Sequence, residues 1–307
     1  LCLVFLYCFA GFGLALILGG QRYATIEVEI YTLVAHELQL GQASALALWM
    51  LMLTGSVAVV YAVLEKRLAA PMRNEPIERR RPRGAGQWLA LAAALTALLF
   101  FCAAPILAIA WRAIGAGAAA WSQVFDPETL GALWNTLRFS AVALVLATLL
   151  GVLHAMAAQA SVIWRAAAFL PFVVSPVTVA FGLLLLYPSM AYAVLAYPFV
   201  AKALSAGLDG LPAHLHQAAR TLGASAWRTF WRVTLPMLRP ALRRGMAFAA
   251  ATALGEFAVT LFLSRPEWST LTTLIYQRLG RPGETNLDSA MVFACVLMVL
   301  ALLAFML

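Results

Sequence analysis

The sequence predicts an all-α protein, a polytopic transmembrane helical bundle of about eight spans arranged as two and then six, and three observations predict it. Hydrophobic residues fill 64% of the 307 positions and charged residues only 11%, where a soluble domain carries about a quarter charged residues. The charges are clustered, with 13 of the 21 Lys and Arg lying in 65–84 and 217–244. Uncharged apolar runs of about 20 residues, the length of a membrane-crossing helix, flank those clusters. The net charge of +8 would suit a polyanion. Both basic stretches fall on one side of the predicted membrane, however, so the cytoplasmic excess of Lys and Arg accounts for the charge and no nucleic-acid partner is expected.

In chain order, residues 1–20 and 42–64 form two spans joined by an outer loop that holds Glu27, Glu29 and Glu37 against Arg22. Leu1 opens inside an apolar run with no basic leader, so residues 1–19 read as a span and not as a signal peptide, and both ends of the chain read as cut. The stretch EKRLAAPMRNEPIERRRPRGAG carries seven Lys or Arg among Pro and Gly, the composition of a cytoplasmic linker. Spans are then expected at 87–111, 139–161, 166–187, 190–206 and 245–263, with a last one running to the end. Between them lie an outer loop at 112–137 with Asp126 and Glu128, an inner turn at Trp164 and Arg165, a turn at Pro188, and an outer loop reaching Asp288. Lys202 is placed to snorkel from its span. Cys2, Cys8, Cys102 and Cys295 all fall in spans without metal-ligand spacing and read as small apolar packing residues.

An internal repeat sets the architecture. A gapless shift of 245 residues places Phe12 on Phe257, Leu16 on Leu261, Thr25 on Thr270, Ile30-Tyr31 on Ile275-Tyr276 and Ser44-Ala45 on Ser289-Ala290. Apolar composition alone aligns leucines, but it does not keep a Thr-to-Tyr spacing and a Ser-Ala pair at one offset across a polar loop. The chain therefore reads as two copies of one module. Each complete copy has an even number of spans, so the copies run parallel, related by an axis along the membrane normal.

Between two apolar segments lies QAARTLGASAWRTFWRVTLPMLRP, residues 217–240, with Arg220, Arg228, Arg232 and Arg239 and no acid. It reads as a cytoplasmic helical hairpin: Gly223 supplies the left-handed end of a first helix, Ser225 caps a second, and Pro236 and Pro240 mark its end or a kink. The spacing of Ala218-Ala219, Gly223, Val233, Leu235 and Pro236 resembles the EAA loop of binding-protein-dependent ABC importer permeases, with QAARTLG standing for the family's EAARTLG. Gln217 departs from the usual Glu, removing a charge while keeping a hydrogen-bond acceptor. The resemblance implies a type I importer fold and contact of Gln217, Ala218, Ala219, Arg220, Gly223, Trp227, Phe230, Leu235 and Pro236 with ABC ATPase subunits, two copies of which grip the inner hairpins. It also implies an extracytoplasmic substrate-binding protein and a multi-pass site in the cell (inner) membrane, in contact with lipid, with the loop cytoplasmic.

On this resemblance residues 1–64 are the C-terminal end of a first permease module, 65–85 the basic linker, and 86–307 a second module whose EAA-like loop covers 211–244. The whole is expected to be a fragment of a fused permease of about twelve spans. GGQRYATIEVEIY and SRPEWSTLTTLIYQRLGRPG are similar to stretches of fused permeases of the ferric iron and thiamine group, which makes ferric iron or thiamine the expected cargo.

Glu256, in ALGEFAVTLFL, is the one acid of its span. A charge at the bilayer centre costs roughly 2.5–3.5 kcal/mol on insertion scales, so it is expected to line the translocation path, the alternative being a packing hydrogen bond between helices. Pro171, Pro176 and Pro198 lie in spans, where a freed carbonyl either kinks a helix or borders the path; Pro176 is taken as a path residue. His154 is expected to make an interhelical hydrogen bond, while His214 and His216 read as loop residues. Lys66 and Lys202 are the only lysines and neither follows a glycine-rich loop, so a phosphate-cradling motif is absent, no cofactor is expected in this chain, and ATP with Mg belongs to the partner. Two rival readings are an ion-gradient-driven secondary transporter and a degenerate permease acting as a membrane scaffold or sensor.

Overall fold

The computed structural model describes residues 11–19, 22–68, 82–160, 176–183, 187–211, 217–219, 221–263 and 265–306, with single positions at 164, 167, 171 and 174. All regular structure among the described residues is helical. Among the described residues six helices are long and apolar enough to cross a membrane, and they overlap six of the eight expected spans. Of the other two, 1–20 and 166–187, about half of the residues lie outside the described ones.

A short helix α1 (Phe12–Leu14) runs into a π-helical turn at Ala15–Gly19 and is followed by α2 (Ile26–Ala35) and α3 (Leu40–Leu68). Next come α4 (Ala85–Gly115), α5 (Gly117–Ser122) and α6 (Pro127–Ala160). The expected outer loop at 112–137 is thus mostly helical. Pro127 stands at the first helical position, its fixed φ suited to that place, and Glu128 lies in the positive first turn. At about 1.5 Å per residue α6 is about 50 Å long, so it overhangs a bilayer core by several turns. After α7 (Pro176–Gly182), α8 (Pro188–Asp209) begins at the expected turn proline and carries Pro198 buried inside it.

The second helix of the hairpin does not end at its prolines. α9 (Ala226–Thr229) passes through a π-helical turn at Phe230–Thr234 into α10 (Leu235–Leu254), which contains Pro236 and Pro240. Pro236 lacks the N–H that would bond one turn back. The wider turn just before it takes up the mismatch, so the chain stays helical from the hairpin into α10. The chain then breaks at Gly255–Phe257, resumes as α11 (Ala258–Phe262), and ends in α12 (Leu271–Leu279) and α13 (Glu284–Ala304).

α6, α8 and α10 form the tightest bundle. Their contact surfaces are built from small residues, which lets backbones approach where lipid gives no hydrophobic drive for association. Val200 of α8 is clamped between two glycines: a Cβ on Gly151 would stand 2.6 Å from the Val200 Cβ, and one on Gly245 2.9 Å from its Cα. On the far side α13 packs against α4, α10 and α12. Cys102 lies on the exposed face of α4 and is not a packing residue, whereas Cys295 is half-buried.

The repeat offset is visible in detail. α2 and α12 begin 245 residues apart, each after a capping threonine, Thr25 and Thr270. The Phe12 and Tyr31 rings meet at 5.5 Å, and those of Phe257 and Tyr276 at 5.3 Å. Ser44 Oγ donates to the Leu40 carbonyl at 2.7 Å, as Ser289 Oγ does to Thr285 at 2.6 Å. α2 packs on α3 as α12 packs on α13.

Candidate functional site: the hairpin and the broken helix

Two places carry the residues singled out in the sequence. At the hairpin, residues 217–219 and 221 are helical, and Gly223 takes φ +77°. The Ala224 N–H reaches back to the Ala219 carbonyl at 3.0 Å, the six-residue closure that ends a helix on a left-handed glycine. Ser225 caps the following helix, its Oγ accepting the Arg228 N–H at 3.3 Å. Gln217 and Ala218 are exposed and Ala219 is buried; Arg220, like His214 and His216, lies outside the described residues. Trp227 and Trp231 meet edge to face at 5.4 Å, with Phe230 against Trp231 at 5.6 Å.

The hairpin leaves much of this apolar surface uncovered. Leu222 is 87% exposed, Trp227 72% and Trp231 49%, beside exposed Arg228 and Arg232, while Phe230, Leu235 and Pro236 are half-buried against the helix ends. A cavity of about 540 Å³ lined by Arg239, Pro240, Leu242, Arg243 and Met246 opens along the same helix.

Glu256 sits in the break between α10 and α11 and is half-buried. A broken helix frees backbone groups that lipid cannot satisfy. Here the Glu256 Oε1 accepts the Val259 N–H at 3.1 Å. Its own carbonyl receives Thr272 Oγ1 at 3.1 Å, Thr260 Oγ1 at 3.4 Å and the Tyr192 hydroxyl at 3.4 Å, and Tyr192 is also hydrogen-bonded to Thr260. Three helices therefore hold the break in place. Sequence reasoning missed this hydroxyl cluster, because Tyr192 and Thr272 are far apart along the chain and no local pattern marks them.

Around the break stands an aromatic group: Phe12 stacks on Phe257 at 6.1 Å, Tyr31 meets Phe262 at 6.2 Å, and Phe181 meets Phe262 at 6.1 Å. Burial pushes the Tyr31 phenol above its ordinary value, and the Tyr276 phenol nearby adds to the rise. Pro176 opens α7 and does not interrupt it; the next residue, Val177, packs into the core that contains Phe12. His154 is buried away from this group, its Nε2 donating to the Trp164 carbonyl at 2.8 Å. At the opposite end of α6 a polar groove of about 540 Å³ is lined by Glu128, Asn135, Arg265, Glu267 and Gln277 among others. Arg278 pairs with Glu128 at 3.0 Å there, and Asn135 Nδ2 donates to the Glu267 and Ser269 carbonyls, each at 2.9 Å. Among the described residues no group of three or more His, Cys, Asp or Glu is placed to hold a metal.

Sequence comparison bears on both places. The molybdenum transport system permease protein ModB of Haemophilus influenzae is 37% identical over 118 residues, 37% of this chain and 52% of ModB. The sulfate transport system permease protein CysW of Synechocystis is 30% identical over 207 residues, 58% of this chain and 75% of CysW. The thiamine transport system permease protein ThiP of Haemophilus influenzae is 25% identical over 332 aligned positions that take in 98% of this chain and 60% of ThiP. The chain spans about half the length, or less, of the ModB and cysT relatives that it matches. The model of the binding-protein-dependent transport system inner membrane component family matches residues 160–307, a region that takes in the hairpin, the broken helix and the last span. With three-quarters of CysW covered at 30% identity, the chain belongs to this family of inner membrane transport components.

Proposed function

We propose that this chain is the membrane-spanning permease part of an ATP-driven importer of type I, and that it hydrolyses no ATP itself. The observation that carries the reading is the hairpin: a turn closed on Gly223 that presents Leu222, Trp227 and Trp231 to solvent. Exposed Trp with Arg beside it is the composition of an interface core. The occupant is one of two ATPase subunits, which bind ATP and Mg, and the hairpin lies in the cytoplasm. Because α9 runs through into α10, a push on the hairpin is delivered to the break at Glu256. The groove around Glu128, Arg265 and Glu267 at the outer end takes the extracytoplasmic binding protein.

The two stretches related by the 245-residue offset are the ends of two parallel permease modules, the first within 1–64 and the second within 86–307, joined by the basic linker at 65–85. Coverage of nearly the whole chain by ThiP supports a fused arrangement. For the cargo we favour a positively charged solute, thiamine before ferric iron. The half-buried Glu256 in the break attracts a cation and repels an oxyanion. A second reading, an oxyanion cargo, is favoured by the higher identity to proteins named for molybdenum and sulfate transport.

The test is reconstitution of the intact parent polypeptide in liposomes with its ATPase and binding protein, and measurement of labelled thiamine and molybdate uptake. Uptake of thiamine that requires internal or external ATP at the ATPase face supports the reading. Uptake that survives without ATP and follows an imposed ion gradient contradicts it in favour of a secondary transporter, and ATP-driven uptake of molybdate alone replaces the cation by the oxyanion.

A further inference from the structure

We propose that Phe12 and Phe257 form the plug that closes the translocation path in this conformation, a deepening that rests on the permease reading above. The argument begins with symmetry. Phe12 and Phe257 are equivalent under the 245-residue offset, and their rings stack on each other at 6.1 Å. When a residue touches its own symmetry mate, the axis relating the copies passes between them, because an isologous contact straddles its two-fold. The path of a transporter built from two parallel copies follows that axis. These two rings therefore lie across it.

The packing around them is that of a seal. Phe12 is 2% exposed. Each ring is backed by the tyrosine of its own copy, Phe12 by Tyr31 at 5.5 Å and Phe257 by Tyr276 at 5.3 Å. Gly13 lets the halves close this far: a Cβ there would come within 3.2 Å of the Phe257 ring. A constriction walled by aromatic rings excludes water and ions by dewetting, without a charged barrier. Phe257 also follows Glu256 directly in the break, and Tyr192, Thr260 and Thr272 fix that break through the Glu256 carbonyl. α10 ends at Leu254, three residues before Phe257, so the driven helix and the plug lie on one piece of chain.

The experiment is passive entry of labelled methylammonium into liposomes that contain the full-length polypeptide, with no ATP. Replacing both rings, Phe12→Ala with Phe257→Ala, is expected to raise entry roughly tenfold, a loss of about 1.4 kcal/mol of barrier. Phe293→Ala, which empties an equally large and fully buried site in a separate core cluster, is expected to leave entry at the wild-type rate. The pair Phe12→Leu with Phe257→Leu keeps the core filled and guards against failure to fold; it is expected to leak less than the alanine pair and more than wild type. Entry at the wild-type rate in both paired variants overturns the proposal, as does equal leak from Phe293→Ala. The assay needs neither ATP nor partners, so these outcomes judge the plug alone, whereas absence of ATP-driven uptake by wild-type protein judges the importer reading.

Discussion

Gly223→Pro is expected to abolish association with the ATPase while the protein still inserts into the membrane. The residue holds φ +77°, and proline is locked near −65°, so the turn cannot close and the Ala224-to-Ala219 bond is lost. The two hairpin helices then lose their mutual angle, and Leu222 and Trp227 no longer face one surface. Gly223→Ala separates backbone from bulk. A Cβ there meets nothing within 4 Å, so only the left-handed conformation is penalised, by about 1–2 kcal/mol, and binding is expected to weaken about tenfold. Copurification of the ATPase with detergent-solubilised parent protein is the measurement. Normal recovery with the proline variant would remove the hairpin from the coupling account.

The second large effect is expected at Glu256. Its carboxylate has two candidate roles, cap of α11 and attractor of a cation, and Glu256→Gln divides them. The glutamine oxygen still accepts the Val259 N–H, so thermal stability is expected to stay close to wild type. Only the charge is lost. Two unit charges about 4 Å apart in a partly desolvated site interact by about 4 kcal/mol, and a third of that is enough to lower uptake of a cationic cargo about tenfold. Glu256→Ala loses the cap as well and is expected to be less stable by about 1 kcal/mol. Labelled thiamine uptake with a parallel thermal melt checks both, and unchanged uptake by the glutamine variant would leave the carboxyl a cap alone.

Much of this fold was legible because lipid imposes a strong and simple constraint on sequence. Uncharged runs and basic clusters located six spans, each overlapping a helix long and apolar enough to cross a membrane. Boundaries were less legible, since polar first turns such as Pro127-Glu128 extend a helix beyond the apolar run that hydropathy marks. Gly223 and Ser225 could be placed from local stereochemistry, which depends on few neighbours. Of the two readings of Pro236, end or kink, the structure removes the first, because the chain absorbs a missing N–H by widening a turn, an adjustment that propensities do not record. The carbonyl of Glu256 is satisfied by hydroxyls from α8, α11 and α12, and the stacking of Phe12 on Phe257 joins residues 245 positions apart. The offset put those two phenylalanines in register, but only the packed structure brings them into contact.

The central claim is that a motor outside this chain moves the membrane helices through the hairpin. The most direct measurement places a photo-crosslinking amino acid at Leu222, 87% exposed at the hairpin turn, in the protein in membranes together with the proposed ATPase subunit. The account predicts a covalent adduct between this position and the ATPase whose yield changes when ATP is added. Crosslinking to lipid or to extracytoplasmic protein alone, with or without ATP, would contradict it.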